Sequence, residues 1–157
     1  MNRQLNAEAT PLLYASNTSK IWTDIELYTF LGNIGKSRQY LRHIEFAYFL
    51  NFGRMHSALH LLKQAKSIEK FECIGHRMQK PKQQRNFEVF VPWLRALRKA
   101  RKSQGLSDDV STVAQFNSVK REFDRYFRED DALYNARIRN AKEFDTQQND
   151  RLKKALA

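Results

Sequence analysis

The segment SRQYLRHIEFAYFLNF, residues 37–52, decides the fold. Ser37 belongs to the residue types that cap helix starts, because its hydroxyl accepts a bond from a free backbone amide. From Ile44 onward nearly every position is apolar, and the strict alternation of a strand with one wet face is missing. This pattern predicts a helix from about Ser37 to Phe52, apolar nearly all round and therefore buried at the centre of the molecule. Gly53 would end it.

Toward the N-terminus, Thr23 and Glu26 form the T-x-x-E of a capping box, which predicts a helix over 24–31 stopped by Gly32. Toward the C-terminus, Met55, Leu59, Leu62 and Ala65 share one helical stripe. HRMQKPKQQRN, residues 76–86, is polar, basic and without period, so a basic loop is expected over 76–91. FEVFV, residues 87–91, is the best strand candidate and is short. Pro92 suits the first turn of a helix, and Gly105 closes that helix. Ser107 and two aspartates then open another helix, in which Val113, Phe116, Val119, Phe123 and Phe127 recur at helical spacing. Beyond residue 145 the pattern weakens, and 145–157 reads as a tail that frays or orders only on a partner. The expected architecture is all-α: a single compact helical domain, 1–157, of about five or six helices with a long C-terminal helical segment.

The bulk numbers fit one folded domain. Hydrophobic residues make up 41% of the 157 and aromatics 12%, enough for a core, which excludes global disorder. Cys73 is the only cysteine, so no internal disulfide can form and a reducing, cytoplasmic setting is expected. Residues 1–19 lack the apolar core of a secretory signal. FAYFLNF, residues 46–52, is too short to span a bilayer, so no membrane partner is expected.

Charge is distributed unevenly. The net charge is +11; residues 76–105 hold nine Lys/Arg against one acid, whereas residues 106–157 hold ten of each. Within the basic segment lies VPWLRALRKARKSQG, residues 91–105, with five cations and no acid. At 100° per residue, Arg95, Arg98, Lys99 and Lys102 share one arc and Arg101 lies just outside it. Trp93, Ala96, Leu97 and Ala100 fall on the opposite side. Like charges four apart, Arg95 with Lys99 and Arg98 with Lys102, repel by a few tenths of a kcal/mol. An anion that neutralises them accounts for that arrangement. Lys80, Lys82 and Arg85 extend the positive surface into the preceding loop. The expected role is a non-enzymatic nucleic-acid-binding accessory protein whose basic helix and loop contact the DNA or RNA backbone, within a larger protein or nucleoprotein assembly. The alternative is a protein–protein assembly factor (a scaffold, small subunit or inhibitor) whose basic strip docks on an acidic partner.

Other motifs carry less. GNIGKS, residues 32–37, resembles the end of a phosphate-binding P-loop, but Phe30 stands where the first glycine is required, and alternating strands and helices are not expected. His56, His60, Cys73 and His76 have spacing near that of a zinc site, yet continued helix from Leu61 to Lys70 would hold Cys73 too far from His60. A helix-turn-helix over 24–52 would offer Lys36, Arg38, Gln39 and Arg42 to a groove, but its turn is long and Arg38 falls where an aliphatic residue belongs. Glu129, Asp130 and Asp131 point in different directions on a helix. No catalytic residue, metal ligand or cofactor site is assigned.

Overall fold

The structure, a computed structural model, describes residues 3–48, 51–74, 86–117 and 131–157. Its elements run α1 (Arg3–Ser16), β1 (Thr18–Thr23), α2 (Asp24–Ile34), a 3-10 turn (Gly35–Tyr40), β2 (His43–Tyr48), α3 (Phe52–Leu62), β3 (Lys70–Cys73), a second 3-10 turn (Asn86–Val89), α4 (Val91–Ser103), β4 (Ala114–Phe116) and α5 (Asp131–Leu156). The four strands form one parallel sheet in the order β1-β2-β3-β4. The protein is therefore α/β, and the all-α expectation is wrong.

The error originates in residues 37–52. Residues 35–40 make a 3-10 turn, and 43–48 are the strand β2 rather than the middle of a helix. β2 lies between β1 and β3, with Ile44, Phe46 and Ala47 buried. Ile44 and Phe46 point into the core with Glu45 between them on the polar face, but Ala47, Tyr48, Phe49 and Leu50 extend the sequence as one apolar run, which hides that short alternation and resembles a buried helix. β3 and β4, of four and three residues, are too short to alternate visibly. FEVFV, the expected strand, instead ends a 3-10 turn and begins α4.

The expected helix after Ser107 is replaced by turns leading into β4. Asp109 N–H donates to Ser107 Oγ at 3.3 Å, and Ser111 N–H donates to Asp109 Oδ1 at 2.9 Å. Such local side-chain bonds offer the backbone an alternative to the helix ladder. Val119, Phe123 and Phe127 lie outside the described residues.

The Thr23 cap forms as expected, but α2 runs past Gly32 to Ile34 and ends at Gly35, Ser37 lies within a 3-10 turn and caps no helix, and Gly53 lies inside α3 rather than ending a helix. Thr23 Oγ1 accepts from Glu26 N–H at 3.2 Å, and Glu26 Oε2 accepts from Trp22 N–H at 2.9 Å. Asn51 Oδ1 accepts from Arg54 N–H and starts α3. Buried Asp24 faces the Arg54 guanidinium at 3.2 Å, tying the start of α2 to α3.

Paired positions across the sheet assign its faces. Ser19, Ile44, Phe71 and Ala114 form one row, and Ile21, Phe46, Cys73 and Phe116 the next. The apolar members join Leu27, Leu31, Met55, Leu59, Trp93 and Leu97 of the crossover helices in a single core. The opposite face carries Lys20, Glu45, Glu72 and Gln115 in register. There Lys20 faces Glu45 at 3.9 Å, and Asn117 Nδ2 donates to Glu72 at 2.9 Å.

α5 closes one border of the sheet. Residues 145–157, expected to fray or to wait for a partner, are its last turns, with Leu152 and Leu156 buried in the core. Asn149 accepts from the Phe116 N–H at 3.0 Å and donates to the Phe116 carbonyl at 3.2 Å. One carboxamide thus satisfies both outward backbone groups of Phe116 on the edge strand. Asn149→Ala leaves them unpaired and is expected to lower unfolding stability in urea by about 1–3 kcal/mol. Asn149→Asp, which has no donor for the carbonyl, should do no better at neutral pH.

Candidate nucleic-acid interface

α4 forms where the sequence places it, Val91–Ser103, with Pro92 in its first turn. It ends in a Schellman arrangement: Gly105 N–H donates to Lys102 O at 3.2 Å and Leu106 N–H to Arg101 O at 3.1 Å. Gly105 sits at φ +68°, a conformation that disfavours any Cβ. Trp93, Leu94 and Leu97 are buried beneath the helix. The Trp93 ring meets Phe71 of β3 edge-on at 5.5 Å, so the sheet fixes the rotation of α4 about its axis.

That rotation leaves Arg95, Lys99 and Lys102 exposed, and Arg98 and Arg101 half-buried. Three guanidinium groups turn back to backbone carbonyls. Arg95 Nη2 donates to Ala155 O at 3.0 Å, and Arg98 Nη1 donates to Leu156 O at 2.6 Å. Both carbonyls belong to the last turn of α5, which has no intrahelical donors for them and carries the negative end of the helix dipole. Arg101 Nη2 donates to Ile68 O at 2.8 Å, in the turn before β3. Among the described residues, no α4 cation lies within 4 Å of a carboxylate. The acid whose charge is felt here is Asp109. Its carboxyl is held below the usual range first by Ser111, with smaller contributions from Arg98 and Lys153.

The basic helix therefore holds two kinds of cation. Arg95, Arg98 and Arg101 anchor the ends of other elements, and Lys99 and Lys102 have no such engagement among the described residues. Lys80, Lys82 and Arg85 lie outside the described residues.

The sheet also gathers a group that the sequence did not reveal. Arg42 precedes β2, Lys66, Ser67 and Glu69 precede β3, Ser107 precedes β4, and Arg101 reaches them from α4. Together they line an open cavity of about 370 Å³ at the amino ends of the strands. Glu69 accepts from Arg42, and its other oxygen lies 3.3 Å from His43 Nε2. Partial burial acts to raise the Glu69 carboxyl, but the bonds and fields of Arg42 and His43 outweigh it and hold the group below its ordinary value. Nothing in linear spacing joins positions 42, 66, 101 and 107; only parallel pairing of the strands brings them together.

The remaining motifs resolve differently. Strands and helices do alternate, so that ground against a P-loop falls. GNIGKS nevertheless lies at the end of α2, with Gly35 at φ +51° as its cap, rather than between a strand and a following helix. The helix-turn-helix loses its second helix to β2, and Arg38 caps α2 by donating to Leu31 O at 2.6 Å. α3 ends at Leu62, short of the continued helix expected to Lys70. His56 and His60 are exposed, and Cys73 is buried in the core, where desolvation, then Asp145 and Glu72, push its thiol far up. Among the described residues no cluster of three metal-binding side chains occurs; His76, Glu129 and Asp130 lie outside them. No described helix is long and apolar enough to cross a membrane.

Comparison with protein-family models, curated proteins and solved structures gives no match.

The division of cations has a measurable consequence. Arg98→Gln removes a charge-assisted bond and should destabilise the protein by about 1.5–3 kcal/mol, with faster hydrogen exchange confined to the α5 terminus. Lys99→Gln should change stability by less than about 0.5 kcal/mol.

Proposed function

We propose that this protein is a non-enzymatic accessory factor that binds the phosphate backbone of DNA or RNA without reading bases. The outer side of α4 is the contact surface, in a cytoplasmic nucleoprotein assembly; Lys80, Lys82 and Arg85, outside the described residues, are assigned to the same role by sequence alone. The observation that carries this reading is the exposure of Arg95, Lys99 and Lys102 on one rigid helix with no acid paired to them among the described residues. A helix face kept soluble by charge normally interleaves acids, because unrelieved cations repel. Arg95 retains N–H donors beyond the one given to Ala155, since a guanidinium carries five. Arg98 and Arg101 hold the surface in shape while adding positive field.

The assembly alternative draws on the opposite border of the molecule. β1 is an edge strand, and beside it runs a groove of about 530 Å³ whose walls include Ile21, Ile25 and Phe30. Trp22, Ile25 and Tyr28 are each close to half exposed. An apolar surface of this kind suits a protein partner rather than phosphate.

Salt dependence separates the two. On duplex DNA, binding measured by fluorescence anisotropy should weaken linearly in log K against log salt. Lys99→Gln and Lys102→Gln should each reduce that slope by about 0.9. Slopes identical to that of the unaltered protein would overturn the backbone-binding reading in favour of assembly.

A further inference from the structure

The cavity beside the C-terminal end of α4 has a composition of its own. Arg42, Lys66 and Arg101 against Glu69 leave a net of two positive charges around it. Ser67 and Ser107 add hydroxyls, and Leu106, 55% exposed, stands at its lip. Arg101 is held at the wall by its bond to the Ile68 carbonyl, and Lys66 is exposed with no partner among the described residues. Arg42 is engaged by Glu69, so one cation is already half-neutralised.

We propose that this cavity binds a phosphate monoester, supplied either by the terminal phosphate of a nucleic-acid strand or by a free mononucleotide. A monoester carries close to two negative charges near neutral pH, which matches the net charge of the wall. A backbone diester carries one and leaves the site unbalanced. At about 370 Å³ the cavity exceeds what the phosphate alone fills and has room for the attached sugar. Leu106 supplies an apolar surface beside that sugar. Arg101 lies on α4 itself, so a strand tracking the basic face would end where the cavity begins. The strand-end source rests on the reading of α4 given above; the mononucleotide source does not.

Glu69 makes the test directional. It competes with the incoming phosphate for Arg42, so removing its charge should strengthen binding, whereas reversing the charge at Lys66 should weaken it. Isothermal titration of the full chain with AMP, and with adenosine as the uncharged control, reads the site directly. AMP should bind at least tenfold more tightly than adenosine. Lys66→Glu should lower AMP affinity tenfold or more, and Glu69→Gln should raise it several-fold. Loss of folding cannot mimic a change of opposite sign at two exposed positions, and thermal melts of both variants check that each folds.

A 5′-phosphorylated ten-nucleotide strand compared with its 5′-hydroxyl counterpart identifies the source. A preference for the phosphorylated strand that Lys66→Glu removes supports the strand end. AMP binding with the two strands equal supports the free mononucleotide. The site is refuted if AMP binds no better than adenosine and the strands are equal, or if phosphate binding is indifferent to both substitutions. The α4 reading fails on a different observation, an unchanged salt slope for Lys99→Gln and Lys102→Gln on 5′-hydroxyl duplex.

Discussion

Phe71 is the residue on which the molecule is organised. It lies fully buried in β3 and meets Phe46 of the central strand at 6.1 Å, and Phe90 and Trp93 at the start of α4 at 5.5 Å each. Phe90 in turn meets Phe116 of β4 at 5.8 Å with the rings perpendicular. Edge-to-face aromatic pairs are directional and add to plain area burial. This cluster therefore fixes how far α4 stands from the sheet and which side of it faces outward. The basic surface is a consequence of that packing: Trp93 and Leu97 turn inward, so Lys99 and Lys102 turn out.

The arginines show how one residue type serves two ends. Arg38, Arg95, Arg98 and Arg101 each donate to a backbone carbonyl at or just beyond the end of a helix or in a turn. Carbonyls in those places lack internal donors, and a planar cation satisfies them over a long reach. The lysines of α4 do none of this. A surplus of positive charge in the sequence is thus partly architectural, and the number of cations facing solvent is smaller than the count in 91–105 suggests.

Legibility in the sequence followed the kind of signal. Helix α4 was readable because its period, its proline and its glycine all report on local backbone chemistry, and α2 and α3 were readable from the same kind of cap and stripe. β2 was not, because its alternation from His43 to Phe46 is brief and runs straight into Ala47, Tyr48, Phe49 and Leu50, which read as one apolar stretch. β4 was hidden by Val113 and Phe116, three apart, a spacing equally at home on a helix. The α4 cations could be named in advance, but their engagement with Ala155, Leu156 and Ile68 depends on residues 33 to 60 positions away. The cavity of Arg42, Lys66 and Arg101 left no linear trace at all, since it exists only where three strand entrances meet.

Asn149 gives the sheet a handed future. By filling the hydrogen-bonding groups of Phe116 it blunts the β4 side at that residue, while β1 has no described strand beyond it. A second strand approaching β4 would have to displace that carboxamide at Phe116, so a single amide on the last helix makes the two margins of the sheet unequal.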